Sequence, residues 1–245
     1  MWKLYDALID EIPENLIVKY HIAGAHRTLI QTEKNVGLAS TIHSNSRPKI
    51  SSGSLIGKTL KEAATLVKSW NFVEASSGIA AINAYYNDYD ILSSHHTVEF
   101  DVDAFDGYKS FVKGKKVAVV GHFKSAIPTL SDICDLSIIE REPASGDYPD
   151  SASEYLLSDQ DFVFITGMTF ANKTLPRLLE LSKNARVVLM GPSVSLSPIL
   201  LDFGVECLSG FCVTEHEPCL DAVRGGDIHS FYRYGKKLSC RTFTK

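Results

Sequence analysis

Residues 114–130, "GKKVAVVGHFKSAIPTL", decide the fold. Four apolar residues, Val117 to Val120, run straight into Gly121, and a helix-like segment follows. An apolar run closed by glycine and leading into a helix is how a buried parallel strand enters its crossover. The turn itself is unusual. A dinucleotide fold carries glycines here so that the backbone can approach a pyrophosphate. In this chain His122 and Phe123 fill that space, and only Ala126 fits the small third position. NAD and FAD are therefore not the expected cofactors. Phe123 can still form an aromatic wall, and backbone N–H groups at the helix start can hold one anionic group.

Downstream, strands are expected at 116–120, 136–140, 162–166, 186–190 and 205–208, alternating with helical segments such as "NKTLPRLLELSK" (172–183). That alternation predicts parallel strands with helical crossovers, so residues 106–245 read as a doubly wound, Rossmann-like α/β domain. Residues 1–105 have a different grammar. Leu4, Leu8, Ile9 and Ile12 follow helical spacing up to Pro13; "NLIVKYHIAG", "RTLIQTE" and "VGLASTIH" then predict an antiparallel meander. Two helices should follow, one opening on a Thr59–Glu62 capping box and one over "FVEASSGIAAINAYYN". This first domain is α+β, and its last stretch, 88–105, is polar, rich in aspartate, and read as a connection.

The 245 residues suit one large domain or two small ones. A net charge of −4, with no block of lysine or arginine, argues against nucleic acid or an anionic membrane as partner. The most apolar region, 187–205, is broken by Pro192, Pro198 and Asp202 and cannot span a bilayer. Five cysteines, without a C-x-x-C pair or a signal segment, fit reduced thiols and a cytoplasmic location.

In an open parallel sheet, ligands sit beyond the carboxyl ends of the strands. Those positions hold Gly121, His122 and Phe123; Glu140; Thr166 and Gly167, followed by Asn172 and Thr174; and Gly191, Pro192 and Ser193. Turns are commonly rich in such residues, but four of them converging on one edge point to a site. Glu140 lies roughly 20 residues beyond Gly121, the offset of a ribose-binding carboxylate. It can bind a diol, and a salt bridge with Arg141 is the competing role. Ser193 is placed to cap a second helix N-terminus.

Together "VAVVGHF" (117–123), "IIER" (138–141), "GDYP" (146–149), "ITG" (165–167), "NKT" (172–174) and "GPS" (191–193), with "VGLAST" (36–41) and "GIAAINAYYN" (78–87), resemble a family described as "putative heavy-metal chelation", over nearly the whole chain. The resemblance implies an enolase N-terminal-like domain before the Rossmann-like one and a site built by both. It also implies partial likeness to methyltransferases, homodimers, and work on metals or metal-chelating compounds of pterin or siderophore type, by condensation or hydrolysis. The family favours an aspartate near Thr214, where this chain has "VTEHEPC" (213–219).

Within this frame Asn83, among small and apolar neighbours, needs partners, either strand backbone or a ligand at the domain seam. His122 is the candidate acid or base, with a structural histidine as the alternative. Asp147 could orient it, bind a cation or cap a turn. Cys212, His216 and Cys219 match no zinc spacing. His95 and His96, adjacent on an extended segment, point to opposite faces. No nucleophile elbow, P-loop or H-E-x-x-H is present.

The expectation is a small-molecule site in the cleft between the halves. Glu140 takes hydroxyls, the turns at 121–123 and 191–193 take an anion or carbonyl, and Asn172, Thr174 and Asn83 orient the ligand. An S-adenosylmethionine- or nucleotide-dependent transferase and a non-catalytic metal carrier are the alternatives.

Overall fold

A computed structural model describes residues 2–43, 46–51, 53–94, 98–101 and 103–241; His95 and His96 lie outside them. The first unit is a helix, α1 (Lys3–Asp10), then a meander of β1 (Tyr20–Ala23), β2 (Arg27–Gln31) and β3 (Val36–Ser40), then α2 (Leu60–Ala64) and α3 (Phe72–Tyr86). The Thr59 hydroxyl caps α2 by accepting from the Glu62 N–H, but the Glu62 carboxylate turns to Lys58. Only half of the expected capping box forms, and α2 is short. Asn71 caps α3.

Helix α3 is buried along almost its whole length, which requires packing on several sides. Glycines allow that packing. A Cβ on Gly37 would lie 2.0 Å from the Ala80 carbonyl oxygen, and one on Gly78 would lie 2.0 Å from the Val67 nitrogen. Strand β3 and the turn at 65–68 thus rest directly on the helix backbone.

The second unit contains β5 (Lys116–Val120), β6 (Asp135–Glu140), β7 (Tyr148–Pro149), β8 (Phe162–Thr166), β9 (Arg186–Met190), β10 (Val205–Val213) and β11 (Gly235–Arg241). The stretch 88–105 is more than a connection. It forms α4 (Tyr89–Ser93), β4 (Val98–Phe100) and the start of α5 (Ala104–Tyr108), and β4 joins the edge of the large sheet beside β11. The sheet runs β4-β11-β10-β9-β8-β5-β6-β7, parallel from β10 to β7 and antiparallel at β11 and β4. Numbered by appearance, the parallel strands stand in the order 3-2-1-4-5-6, so the order reverses between β5 and β8. Helices α6 (Ala126–Leu130), α7 (Ser153–Leu156), α8 (Met168–Ala171), α9 (Leu175–Leu181) and α10 (His216–Arg224) complete the chain.

Alternation along the strands divides the core. Val117, Val119, Phe162, Phe164 and Val188 face Phe105, Tyr108 and Leu130; Ala118, Val163, Ile165, Val187 and Leu189 face the other way. That second face shares one apolar cluster with Leu4, Leu8, Ile30, Ala39 and Ile79 of the first unit. Buried polar bonds pin the seam. The Asn87 amide donates to the Val194 and Phe211 carbonyls, and its oxygen accepts from the Leu196 N–H. The Ser40 N–H donates to the Ser193 hydroxyl at 2.8 Å, and the Tyr5 hydroxyl to the Phe170 carbonyl at 3.0 Å.

Candidate functional site

At the point where strand order reverses, a cleft of about 950 Å³ opens beyond the carboxyl ends of β5, β6 and β8. Thr41, Ile42 and His43, just past β3, close one side, so both units line it. Of the residues singled out from sequence, Gly121, His122, Phe123, Glu140, Thr166, Asn172 and Thr174 line the cleft.

Gly121 turns the chain at φ +112°, a left-handed conformation that favours glycine, and aims His122 across the strand ends. The His122 Nδ1–H donates to the Asp147 carboxylate at 2.7 Å. Asp147, whose side chain is only 2% exposed, also accepts the Ala144 N–H and so holds its own loop. With Nδ1 engaged, Nε2 is the ring nitrogen left for a ligand. Phe123 stacks edge-on against Phe105 at 5.8 Å and walls the cleft.

Glu140 is busy with backbone. One carboxylate oxygen accepts the His122 N–H at 2.8 Å and the other the Arg141 N–H at 2.6 Å. The protein's own carboxylate thus takes the amide at the 121–123 turn that was expected to hold an anion. Nor does Glu140 pair with the Arg141 side chain, which reaches Asp150 at 3.5 Å. The Asn172 oxygen accepts from the Thr174 N–H and hydroxyl, which leaves its amide group for a ligand. Thr166 accepts the Met168 N–H at 3.3 Å.

The remaining candidates lie away from the cleft lining. Asn83 is fully buried; its amide donates to the Leu38 carbonyl and ties α3 to β3. Its oxygen is buried without a partner among the described residues, so the backbone bond satisfies only half of the side chain. The turn at 191–193 serves the seam. No helix starts at Ser193, whose hydroxyl accepts from the Ser40 N–H; the next helical turn begins at Pro198, capped by Ser197. Gly167 lets that turn approach, since a Cβ there would meet the Val194 nitrogen at 2.7 Å.

Sequence reasoning passed over Lys173, Arg177, Glu154 and the His43 segment, all of which line the cleft. Lys173 stood between two chosen residues in "NKT" and was overlooked, because spacing alone does not reveal its left-handed φ of +71°. Burial pulls its amine down to about 8.

The family comparison decides membership. Residues 103–240 match the DUF364 family model and residues 5–86 the DUF4213 model, both described as "Putative heavy-metal chelation". The chain belongs to the DUF364 family. A DUF364 protein of unknown function from Desulfitobacterium hafniense, solved by crystallography, is 43% identical, with a TM-score of 0.89 over 99% of both chains. A second DUF364 structure, from Pyrococcus horikoshii, is 23% identical, with a TM-score of 0.85 over 98% of both chains, and shows the shared fold. The uncharacterized protein MJ0500 of Methanocaldococcus jannaschii is 31% identical over 175 residues, 67% of this chain; the match spans 64% of that relative's length.

The DUF364 description points to a metal, yet the described side chains do not fit a resident ion. Among the described residues, no three His, Cys, Asp or Glu side chains converge to hold one. Cys207, Cys212, Cys219 and Cys240 are buried. Burial raises the Cys212, Cys219 and Cys240 thiols, Cys219 to about 12 and Cys240 to about 11, whereas metal binding needs thiolates. Among the described residues, no helix is long and apolar enough to cross a membrane.

Proposed function

We propose that this DUF364 protein binds a small metal-chelating molecule in the cleft and acts on it with His122 as general acid–base, oriented by Asp147. The 2.7 Å bond between His122 and the buried Asp147 carboxylate carries this reading. A carboxylate that fixes one ring nitrogen presents the other to a substrate, as acid–base catalysis requires. The strand order supports a Rossmann-like second domain, and the meander with α3 supports an enolase N-terminal-like first one. The family description supplies the substrate class: any heavy metal arrives bound to the ligand, since among the described residues no three His, Cys, Asp or Glu side chains converge.

Glu140, at the end of the second parallel strand, favours a second reading, recognition of a ribose in S-adenosylmethionine or a nucleotide. Each oxygen already accepts one backbone N–H, so a diol would have to share it.

The test is a binding screen of pterins, catechol-type chelators, nucleotides and S-adenosylmethionine, free and metal-loaded, followed by turnover of each binder. The reading expects a chelator to bind and His122→Ala to keep binding but lose turnover. Binding confined to S-adenosylmethionine or nucleotides, or turnover unaffected by His122→Ala, would reject it.

A further inference from the structure

The charges around the cleft are almost all spoken for. Arg177 is held by Glu154 through two bonds of 2.9 and 2.6 Å and by Glu180 at 3.0 Å. Arg141 faces Asp150, and His122 faces Asp147. Lys173 differs. Among the described residues no carboxylate lies within ion-pair distance of it. Its Nζ donates at 2.6 Å to the Ala171 carbonyl and sits 5.7 Å from the centre of the Phe72 ring, and the side chain is half-buried.

A half-buried ammonium with only a carbonyl and an aromatic face beside it is short of one negative charge. The backbone beneath it adds to the argument. Lys173 holds φ +71°, a left-handed conformation that strains an L-residue and persists where surrounding structure imposes it. Asn172 accepts two bonds from Thr174 and fixes the loop on either side of the lysine. Of the two turns expected to take an anion, 121–123 gives its His122 N–H to Glu140, and 191–193 lies away from the cleft lining with the Ser193 hydroxyl engaged by Ser40.

We propose that Lys173 is the anion-binding residue of the cleft and that the ligand carries a carboxylate or phosphate group placed against its Nζ. This rests on the cleft being a small-molecule site and narrows the ligand class. The lowered basicity of the buried amine agrees with a cation waiting for its counter-charge.

The experiment titrates ¹⁵N-labelled protein, wild type and Lys173→Met, with inorganic phosphate and with citrate at neutral pH, following the amides of His122, Thr166 and Thr174. Methionine keeps the length and the backbone strain but removes the charge, and unchanged peaks away from the cleft confirm folding. We expect saturable shifts in the wild type and affinity about tenfold weaker in Lys173→Met, the loss of one charge-assisted hydrogen bond. Tighter saturation by citrate would assign a carboxylate, by phosphate a phosphoryl group. Equal affinity in the variant would remove Lys173 while leaving the cleft as a site. Absence of saturable shifts with both probes would also overturn the proposal, and the neutral chelators of the binding screen would then still test the cleft.

Discussion

The Asp147 carboxylate and the His122 imidazole lie 2.7 Å apart, one with its side chain almost wholly buried and the other on the cleft wall. Asp147 accepts, so neutral His122 must carry its proton on Nδ1. Long-range ¹⁵N NMR of the imidazole should show this tautomer alone in the wild type, and a mixture in Asp147→Ala. A wild-type ring protonated mainly on Nε2 would contradict the arrangement.

Glu140→Gln should loosen the turn after β5. Glutamine has one oxygen for two N–H donors, and its NH₂ faces the other, so one amide loses its partner at roughly 1–3 kcal/mol. Hydrogen exchange at His122 or Arg141 should speed up in proportion, with the core strands unchanged. Unaltered protection at both amides would mean that Glu140 does not hold this turn.

Lys173→Gly should stabilise the fold at neutral pH by about 1 kcal/mol, since glycine accepts φ +71° without strain. The gain should shrink with rising pH. The native amine releases its proton near 8, against 10.5 ordinarily, so between these values the unfolded chain binds the proton and the native one does not. Wild-type stability relative to the variant therefore climbs across that window. Denaturation of both proteins from neutral pH to pH 10.5 checks the sign.

The buried thiols predict the opposite slope for the whole protein. Cys212, Cys219 and Cys240 ionise later in the native state than the ordinary value of 9.0, so the unfolded chain loses those protons first and stability falls as pH rises above about 9. In a Cys134→Ser background, which removes the half-buried thiol, cadmium should give no thiolate charge-transfer absorption with native protein and a strong band once it is unfolded. A band in the native state would revive a protein-held metal.

Asn87→Ala should cost roughly 3 kcal/mol, because it strands two carbonyls and one N–H in the seam. Asn83→Ala removes a single bond to Leu38 and should cost less. Paired denaturant titrations rank them; the reverse order would mean that Asn87 is not the principal polar tie between the units.

Five parallel strands could be read from sequence because both of their faces are covered, leaving short apolar runs such as 117–120 and 162–165 bounded by turn residues. The edge was harder. Strands β4 and β11 carry polar residues such as Glu99, Lys236 and Lys237, and their pairing is set by neighbours distant along the chain. Gly121 and His122 marked the cleft, since they close an apolar parallel strand at its carboxyl end, where ligands sit in such sheets. What the side chains hold was not readable: Glu140's two backbone partners, the Ser40–Ser193 bond and the missing counter-charge at Lys173 all depend on residues brought together by folding.

The apolar cluster common to both units also bears on how a ligand gets in. Two bodies fused through one interior have no oil-free plane along which to swing, so a clamshell opening would expose Ile30, Ala39 and Leu189 to water. If a ligand enters the cleft, its exchange is expected to track the motions of the lining segments 141–150 and 172–174 rather than a gaping of the halves.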